Sequence, residues 1–136
     1  MQITRTADYG VRMMIALATH AGDRLTVAEL ARESGASQAF AGKVLQRLAN
    51  AHLVASRRGY EGGFVLARPA GAISLLEIVN ALDGPLCVNV CVPGGTGCDR
   101  SESCGAVSVW ARAQSALAGV LDAQKLDGLV PEEMRG

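Results

Sequence analysis

The sequence predicts a mainly α-helical fold with one small β-hairpin, a winged helix-turn-helix followed by a long C-terminal helix. Two short amphipathic segments are joined by a turn that contains Gly35, as in helix-turn-helix units. Two short strands separated by glycines follow directly, which is typical of a hairpin. A longer segment near the C-terminus carries apolar residues on a single helical face, which favours a long helix.

The length and composition favour one aliphatic core. A chain of 136 residues with 49% apolar residues can bury such a core. Only two Tyr, two Phe and one Trp are present, so Leu, Val, Ile, Met and Ala must build it. No apolar run is long enough for a membrane span, and the first residues lack the pattern of a signal peptide. We therefore expect a soluble cytoplasmic protein that has no membrane partner.

The charges are distributed unevenly, although the formal net charge is zero. Residues 1–69 hold nine Lys or Arg and five Asp or Glu, whereas residues 70–136 hold four and eight. A basic N-terminal half favours an anionic partner such as DNA, and an ordinary mixed surface is the alternative.

The first three helices are predicted by periodicity and by capping residues. Apolar residues recur on one face of residues 6–20, at Val11, Met14, Ile15 and Ala18. Thr26 and Glu29 form a capping box, so the second helix should begin at Thr26 and end near Gly35. Ser37 is the predicted N-cap of a third helix, whose outer face is polar and basic.

Strands are predicted at residues 53–57 and 63–67, with a basic, glycine-containing tip at 58–62. Ser74 and Glu77 form a second capping box, and Gly84 ends the helix that it begins.

Residues 105–124 predict a longer helix with one apolar face: Val107, Trp110, Gln114, Leu117 and Leu121. Little chain remains to cover that face, which favours a two-fold dimer, and folding back on its own domain is the alternative. The final LVPEEMRG is expected to be a frayed acidic tail.

All four cysteines lie in residues 87–104, CVNVCVPGGTGCDRSESC, which we call the cysteine segment. This segment separates a predicted DNA-binding unit at 1–86 from a predicted dimerisation helix and tail at 105–136. In a reducing cytosol, clustered cysteines favour metal ligands or redox-active thiols over structural disulfides. The residues alone leave these two interpretations open.

Five segments are recognisable together: TADYGVRMM, TVAELARESG, KVLQRLANAHLV, SRRGYEGGFVLARP and ISLLEIVNALDGPL. They resemble the Rrf2 family of bacterial winged-helix repressors over about residues 1–130. The resemblance implies a homodimer, not an enzyme, that binds double-stranded palindromic promoter DNA. Its recognition helices would enter successive major grooves, about 34 Å apart, and its C-terminal helices would cross at the dimer interface.

The resemblance also implies which residues contact DNA. The third helix would offer Ser37, Gln38, Ala39 and Lys43, of which Gln38 suits bidentate pairing with adenine. The wing would offer Arg57, Arg58, Gly59 and Tyr60, with an arginine reaching into the minor groove and Tyr60 either packing on the backbone of DNA or supporting the hairpin. The start of the first helix would offer Thr4 and Arg5 to phosphates.

Cluster-binding members of the family carry three cysteines in this position, with five to seven residues in the first gap and five in the second. Cys91, Cys98 and Cys104 have gaps of six and five. The resemblance therefore implies an iron-sulfur cluster that senses nitric oxide, redox state or iron-sulfur status. The histidine of the 2Fe-2S members is replaced by Val107, so a 4Fe-4S cluster is favoured over 2Fe-2S.

The fourth cluster ligand has two candidates, Asp8 from the partner subunit and Cys87. Asp8 could instead favour the positive end of the first helix, and Cys87 could be a small buried apolar residue. Three further alternatives stay open: zinc or thiol chemistry at the cysteines, a regulator with another effector, and a small electron-transfer protein.

Overall fold

The computed structural model describes residues 2–59 and 62–134. Within these ranges the chain forms five α-helices and one two-stranded sheet. The elements are α1 (Arg5–Thr19), α2 (Val27–Ser34), α3 (Gln38–Asn50), β1 (Val54–Arg57), β2 (Gly63–Leu66), α4 (Leu75–Asp83) and α5 (Val107–Ala123). Short 3-10 helices lie at Ala70–Ala72, Leu126–Leu129 and Glu132–Met134. The predicted winged helix-turn-helix with a long C-terminal helix is confirmed.

Side-chain caps begin the helices where the sequence predicts them. Thr26 accepts a hydrogen bond from the Glu29 amide, and the Glu29 carboxylate accepts one from the Thr26 amide. Ser74 and Glu77 form the same reciprocal pair. These backbone hydrogen bonds favour the ionised carboxylates, so the pKa values of Glu29 and Glu77 lie below the ordinary value. Both predicted capping boxes are confirmed.

The core lies among α1, α2, α3, α4 and the base of the hairpin. Its largest fully buried side chains include Met13, Met14, Leu45, Leu48 and Ile78. Helix α1 lies directly against α4 at Gly10, where an added Cβ would overlap Leu82 Cδ1. A larger residue at this position would therefore force the buried Leu82 side chain to shift.

The wing is an antiparallel hairpin in which Val54 pairs with Leu66 and Arg57 with Gly63. The chain before α2 adds a short third edge, because Leu25 and Phe64 exchange backbone hydrogen bonds of 3.1 and 2.9 Å. Gly63 has φ +154°, and a Cβ there would lie 2.8 Å from the Leu25 carbonyl oxygen. This third edge was not among the strands predicted from the sequence.

Helix α5 has no buried residue, and the side chains of Trp110 and Val120 are 42% and 68% exposed. The chain then returns to the N-terminal core, where the Leu126 amide donates to the Ile73 carbonyl at 2.9 Å. Leu126 and Val130 are buried against that core. The expectation of a frayed tail was wrong at its start, because Val130 packs inside. No helix in the described ranges is long and apolar enough to cross a membrane.

Candidate nucleic-acid interface and cysteine segment

The first turn of α3 is positioned by the turn that precedes it. Gly35 ends α2 in the left-handed region, at φ +82°, and Ser37 then caps α3 by accepting from the Phe40 amide at 3.1 Å. Gln38, Ala39 and Lys43 are exposed. Neither Gln38 nor Lys43 has a side-chain hydrogen bond or ion pair among the described residues. Their polar groups are therefore free to meet an external partner.

The wing presents a second polar surface. Arg57, Arg58 and Gly59 are exposed, and both guanidinium groups lack an ionic partner among residues 2–59 and 62–134. The Arg58 carbonyl accepts from Arg24 Nη1 at 3.3 Å, which ties the tip to the turn after α1. Tyr60 lies outside the described residues, so its predicted role stays a prediction.

The two predicted phosphate contacts at the start of α1, Thr4 and Arg5, differ in their contacts within the chain. Thr4 donates its amide to the Asp83 carboxylate at 3.2 Å and its hydroxyl to the same group, while its hydroxyl oxygen accepts from the Ala7 amide. The amide and the hydroxyl of Thr4 are thus already bonded to a carboxylate of the same chain. Arg5 is exposed and has no such contact, so it is the freer of the two.

Two residues that the sequence analysis did not single out connect this surface to the end of α4. Arg47 of α3 donates to the Leu82 carbonyl, and Asp83 holds Thr4. Both contacts join residues 35 or more positions apart, and no local pattern signals such a pair. The end of α4, directly before the cysteine segment, is therefore bonded to α3 and to α1.

The cysteine segment contains turns and bends and has no helix or strand. All four cysteines are free thiols: Cys87 and Cys91 are half-buried, and Cys98 and Cys104 are exposed. The Cys87 thiol donates to the Asn89 carbonyl at 2.9 Å. In the part of the chain that the structure describes, no three His, Cys, Asp or Glu side chains are grouped to hold a metal ion. The structure therefore does not gather the three predicted ligands.

The cysteine segment is tied to α5 by one side chain. Gln114 accepts from the Val88 amide and donates to the Pro93 carbonyl, both at 2.9 Å. The amide of Gln114 thus holds both sides of the turn that carries Cys91. Gln114 was predicted only as a member of the apolar face of this helix, and its anchoring contacts were not predicted.

Asp8 lies in the first turn of α1 and is ion-paired with Arg12 of the same helix at 3.0 Å. Arg12 also donates to the Ser34 carbonyl at 3.2 Å, so the pair connects α1 with the end of α2. Asp8 keeps an exposed side chain, at 51%. Its carboxylate therefore has a partner within its own chain, and its role as a cluster ligand stays a prediction.

The donor set suits an iron-sulfur cluster by its chemistry. Thiolates are the usual protein ligands of such clusters, and the accessible thiols of Cys98 and Cys104 lie in the same irregular segment as Cys91. The segment is rich in glycine, so its backbone can adopt conformations closed to other residues. The residues present therefore fit a thiolate-bound group.

The family model Rrf2, described as iron-dependent transcriptional regulator, matches residues 3–132. The chain is 35% identical to protein aau3 of Rhizobium meliloti over 96% of its own length and 85% of that protein. It is 30% identical to the HTH-type transcriptional regulator IscR of Citrobacter koseri, over 96% of this chain and 80% of the relative.

Two solved structures are similar over nearly the whole chain. CymR, the global cysteine regulator of B. subtilis, has a TM-score of 0.78 at 28% identity and covers 95% of each chain. The IscR of T. potens has a TM-score of 0.74 at 27% identity and covers 95% of this chain and 85% of its own.

Proposed function

This chain belongs to the Rrf2 family of transcriptional regulators, and on that premise we propose that it is a cytoplasmic homodimeric repressor with a cysteine-bound sensor group. The DNA-binding winged helix is a feature that this chain shares with the family. The palindromic target, the dimer, the repressor activity and the cluster are our proposals. Membership of a family of transcriptional regulators gives no support to the electron-transfer alternative.

The observation that carries the DNA proposal is a set of exposed polar side chains that have no partner within the described chain. Gln38 and Lys43 lie in the first two turns of α3, and Arg57 and Arg58 lie at the end of β1. A winged helix places these elements on DNA, with the recognition helix, here α3, in the major groove and the wing at the minor groove. Base edges would be read by Gln38, and the cations would hold the phosphates and the minor groove.

An Arg58→Gln variant tests the wing contact. Its fold should be unchanged, because the side chain is exposed. Its affinity for a duplex selected from a random library by the wild-type protein should fall, and the slope of log K against log salt should decrease by about 0.9 per lost phosphate contact. Arg112→Gln, an exposed arginine on α5, is the matched control. If wild type and Arg58→Gln have equal slopes of log K against log salt, Arg58 of the wing makes no phosphate contact in the complex.

The dimer proposal rests on α5. None of its residues is buried in the single chain, although Val107, Trp110, Leu117 and Leu121 form an apolar face. A two-fold partner would cover this face and fix the distance between the two α3 helices. Because Gln114 holds the cysteine segment to the same helix, a change in that segment would reach the dimer contact.

We propose that Cys91, Cys98 and Cys104 hold the iron-sulfur cluster, with 4Fe-4S favoured. When bound, the cluster supplies a centre that reacts with nitric oxide or oxidants. Asp8 of the partner or Cys87 would complete it. Asp8 would have to share its carboxylate with Arg12, and Cys87 would have to give up its hydrogen bond to Asn89.

Anaerobic purification followed by native mass spectrometry tests the cluster and the dimer together. The wild type and Ser103→Ala should carry iron and acid-labile sulfide on a dimer, whereas Cys98→Ser should lose both. Ser103 is the matched control because it is an exposed side chain of the same segment with no sulfur. Colourless wild-type protein with neither iron nor sulfide would contradict the cluster and leave the DNA proposal standing.

A cluster-free thiol-based regulator is the second candidate. Four free thiols that are not grouped in the described structure favour it, as does the likeness to the CymR of Staphylococcus aureus, which has been solved in an oxidized form. This candidate predicts protein without metal whose DNA affinity changes on oxidation with diamide. Stoichiometric zinc would instead support a structural metal site.

A further inference from the structure

A cavity of about 810 Å³ lies between the end of α1, the turn that follows it and the wing. Its volume is within the range of small-molecule sites, roughly 300–1,000 Å³. Part of its lining is apolar and includes Leu17, Val65, Leu66, Pro69 and Ala70, which we call the floor. Leu17 is 2% exposed, so the floor reaches the buried core. The floor therefore offers space for an apolar group.

The rim of the same cavity is cationic. Arg24, Arg57 and Arg58 line it, and the lining residues that the structure describes include one carboxylate, Asp23. Arg68 also lines it but is paired with Glu77 at 2.7 Å, so its charge is compensated. The rim therefore carries an excess of positive charge, and guanidinium groups suit planar anions such as carboxylates.

The rim is held in place by contacts between its two sides. Arg24 Nη1 donates to the Arg58 carbonyl at 3.3 Å, and a Cβ at Gly59 would lie 3.3 Å from the same nitrogen. The Leu25 and Phe64 backbone pair fixes the turn after α1 against the wing. The turn after α1 and the wing, which carry the cationic groups, are therefore bonded to each other.

We propose that this cavity binds an amphipathic organic anion, with its apolar body on the floor and its carboxylate or sulfonate at Arg57 and Arg58. Inorganic phosphate alone would leave the apolar floor without a partner. The proposed function assigns the same two arginines to DNA, and on that basis the anion would compete with DNA for them. The site itself does not depend on that assignment.

The test uses 8-anilinonaphthalene-1-sulfonate, an aromatic sulfonate, titrated into ¹⁵N-labelled wild-type protein without DNA. Saturable amide shifts should appear at Gly22, Arg58, Val65 and Ala70. The neutral analogue N-phenyl-1-naphthylamine should bind more weakly. Arg58→Gln should weaken sulfonate binding about tenfold, the value of one charge-assisted hydrogen bond, and Arg112→Gln should bind like the wild type.

Three results would overturn the site. These are amide shifts confined to α5, equal affinity of wild type and Arg58→Gln for the sulfonate, or equal binding of inorganic phosphate at the same amides. Because this titration contains no DNA, it tests the cavity even if the protein fails to bind any duplex.

The competition is tested with a fluorescein-labelled duplex selected by the wild-type protein. At a sulfonate concentration ten times its dissociation constant, the apparent Kd for DNA should rise about elevenfold. An unchanged Kd at a saturated cavity would contradict the competition. If the protein selects no duplex from the random library, the proposed function is contradicted instead.

Discussion

Replacing Gln38 by alanine separates DNA recognition from folding. Gln38 is the first residue of α3, its side chain is exposed, and it makes no hydrogen bond within the described chain. Ser37, which caps the helix, keeps its bond to the Phe40 amide in this variant. Alanine is also a better helix former than glutamine. The free energy of unfolding should therefore change by less than about 0.5 kcal/mol.

DNA binding should change much more. One bidentate contact between a side-chain amide and adenine contributes about 1–3 kcal/mol of discrimination against the wrong base. Its loss corresponds to a roughly 5- to 150-fold weaker Kd for the preferred duplex. Discrimination should be relaxed at one base pair in each half-site. The salt dependence should stay the same, because the phosphate contacts are untouched.

Fluorescence anisotropy with the selected duplex, and with duplexes altered at each base pair, measures these effects. Gln46→Ala is the matched control. Gln46 is an exposed glutamine of the same helix, bonded to Asn50 at 3.1 Å, and lies about 12 Å further along the axis. If Gln38→Ala keeps the wild-type Kd and the wild-type base preferences, the first turn of α3 does not read the sequence.

Three further predictions concern the fold. The lowered pKa of Glu77 means that its carboxylate stabilises the fold fully above pH 4.5, and that this contribution is lost as the pH falls through the lowered pKa. Urea unfolding at neutral pH and at a pH below the lowered pKa should show Glu77→Gln less stable than the wild type only at neutral pH, by at most about 1 kcal/mol because the group is partly exposed. Leu126→Ala should lower the free energy of unfolding by about 2–5 kcal/mol, because Leu126 is fully buried. Met134 is exposed, so the control variant Met134→Ala should change the free energy of unfolding by less than about 0.5 kcal/mol. Equal effects of the two variants would mean that the C-terminal segment does not pack on the core. Gly63→Ala should destabilise the wing by about 1–3 kcal/mol, because its Cβ would lie 2.8 Å from the Leu25 carbonyl, and an unchanged Tm would contradict this packing.

Capping patterns within a few consecutive residues were sufficient to predict where the helices begin. Thr26, Ser37 and Ser74 cap helices because each side chain reaches an amide three residues on, a relation that lies within four consecutive letters of sequence. The third edge of the wing could not be predicted in this way. It depends on Leu25 meeting Phe64, which the packing of the whole domain decides.

The same distinction applies to the candidate interface. The exposure of Lys43 follows from the helical period, because Ala41, Val44, Leu45 and Leu48 are buried on the other side of α3. The exposure of Gln38 does not follow from the period, because Gln38 lies three and seven positions before the buried Ala41 and Leu45; it is exposed at the first position of the helix. The contact of Arg47 does not follow from the helical period. Its position in the period is on the outer side of α3, yet its guanidinium donates to the Leu82 carbonyl at the end of α4. The anchoring of the cysteine segment by a glutamine of α5 depends equally on tertiary placement.

The central claim is that the state of the cysteine segment changes the affinity of the dimer for DNA. The most direct measurement is the Kd of one selected duplex for cluster-loaded wild-type protein and for the same protein after the cluster has been destroyed with nitric oxide and the iron removed with a chelator. A coupling free energy of about 1–3 kcal/mol predicts Kd values that differ by about 5- to 150-fold. Identical Kd values, with loss of iron verified by native mass spectrometry, would contradict the claim.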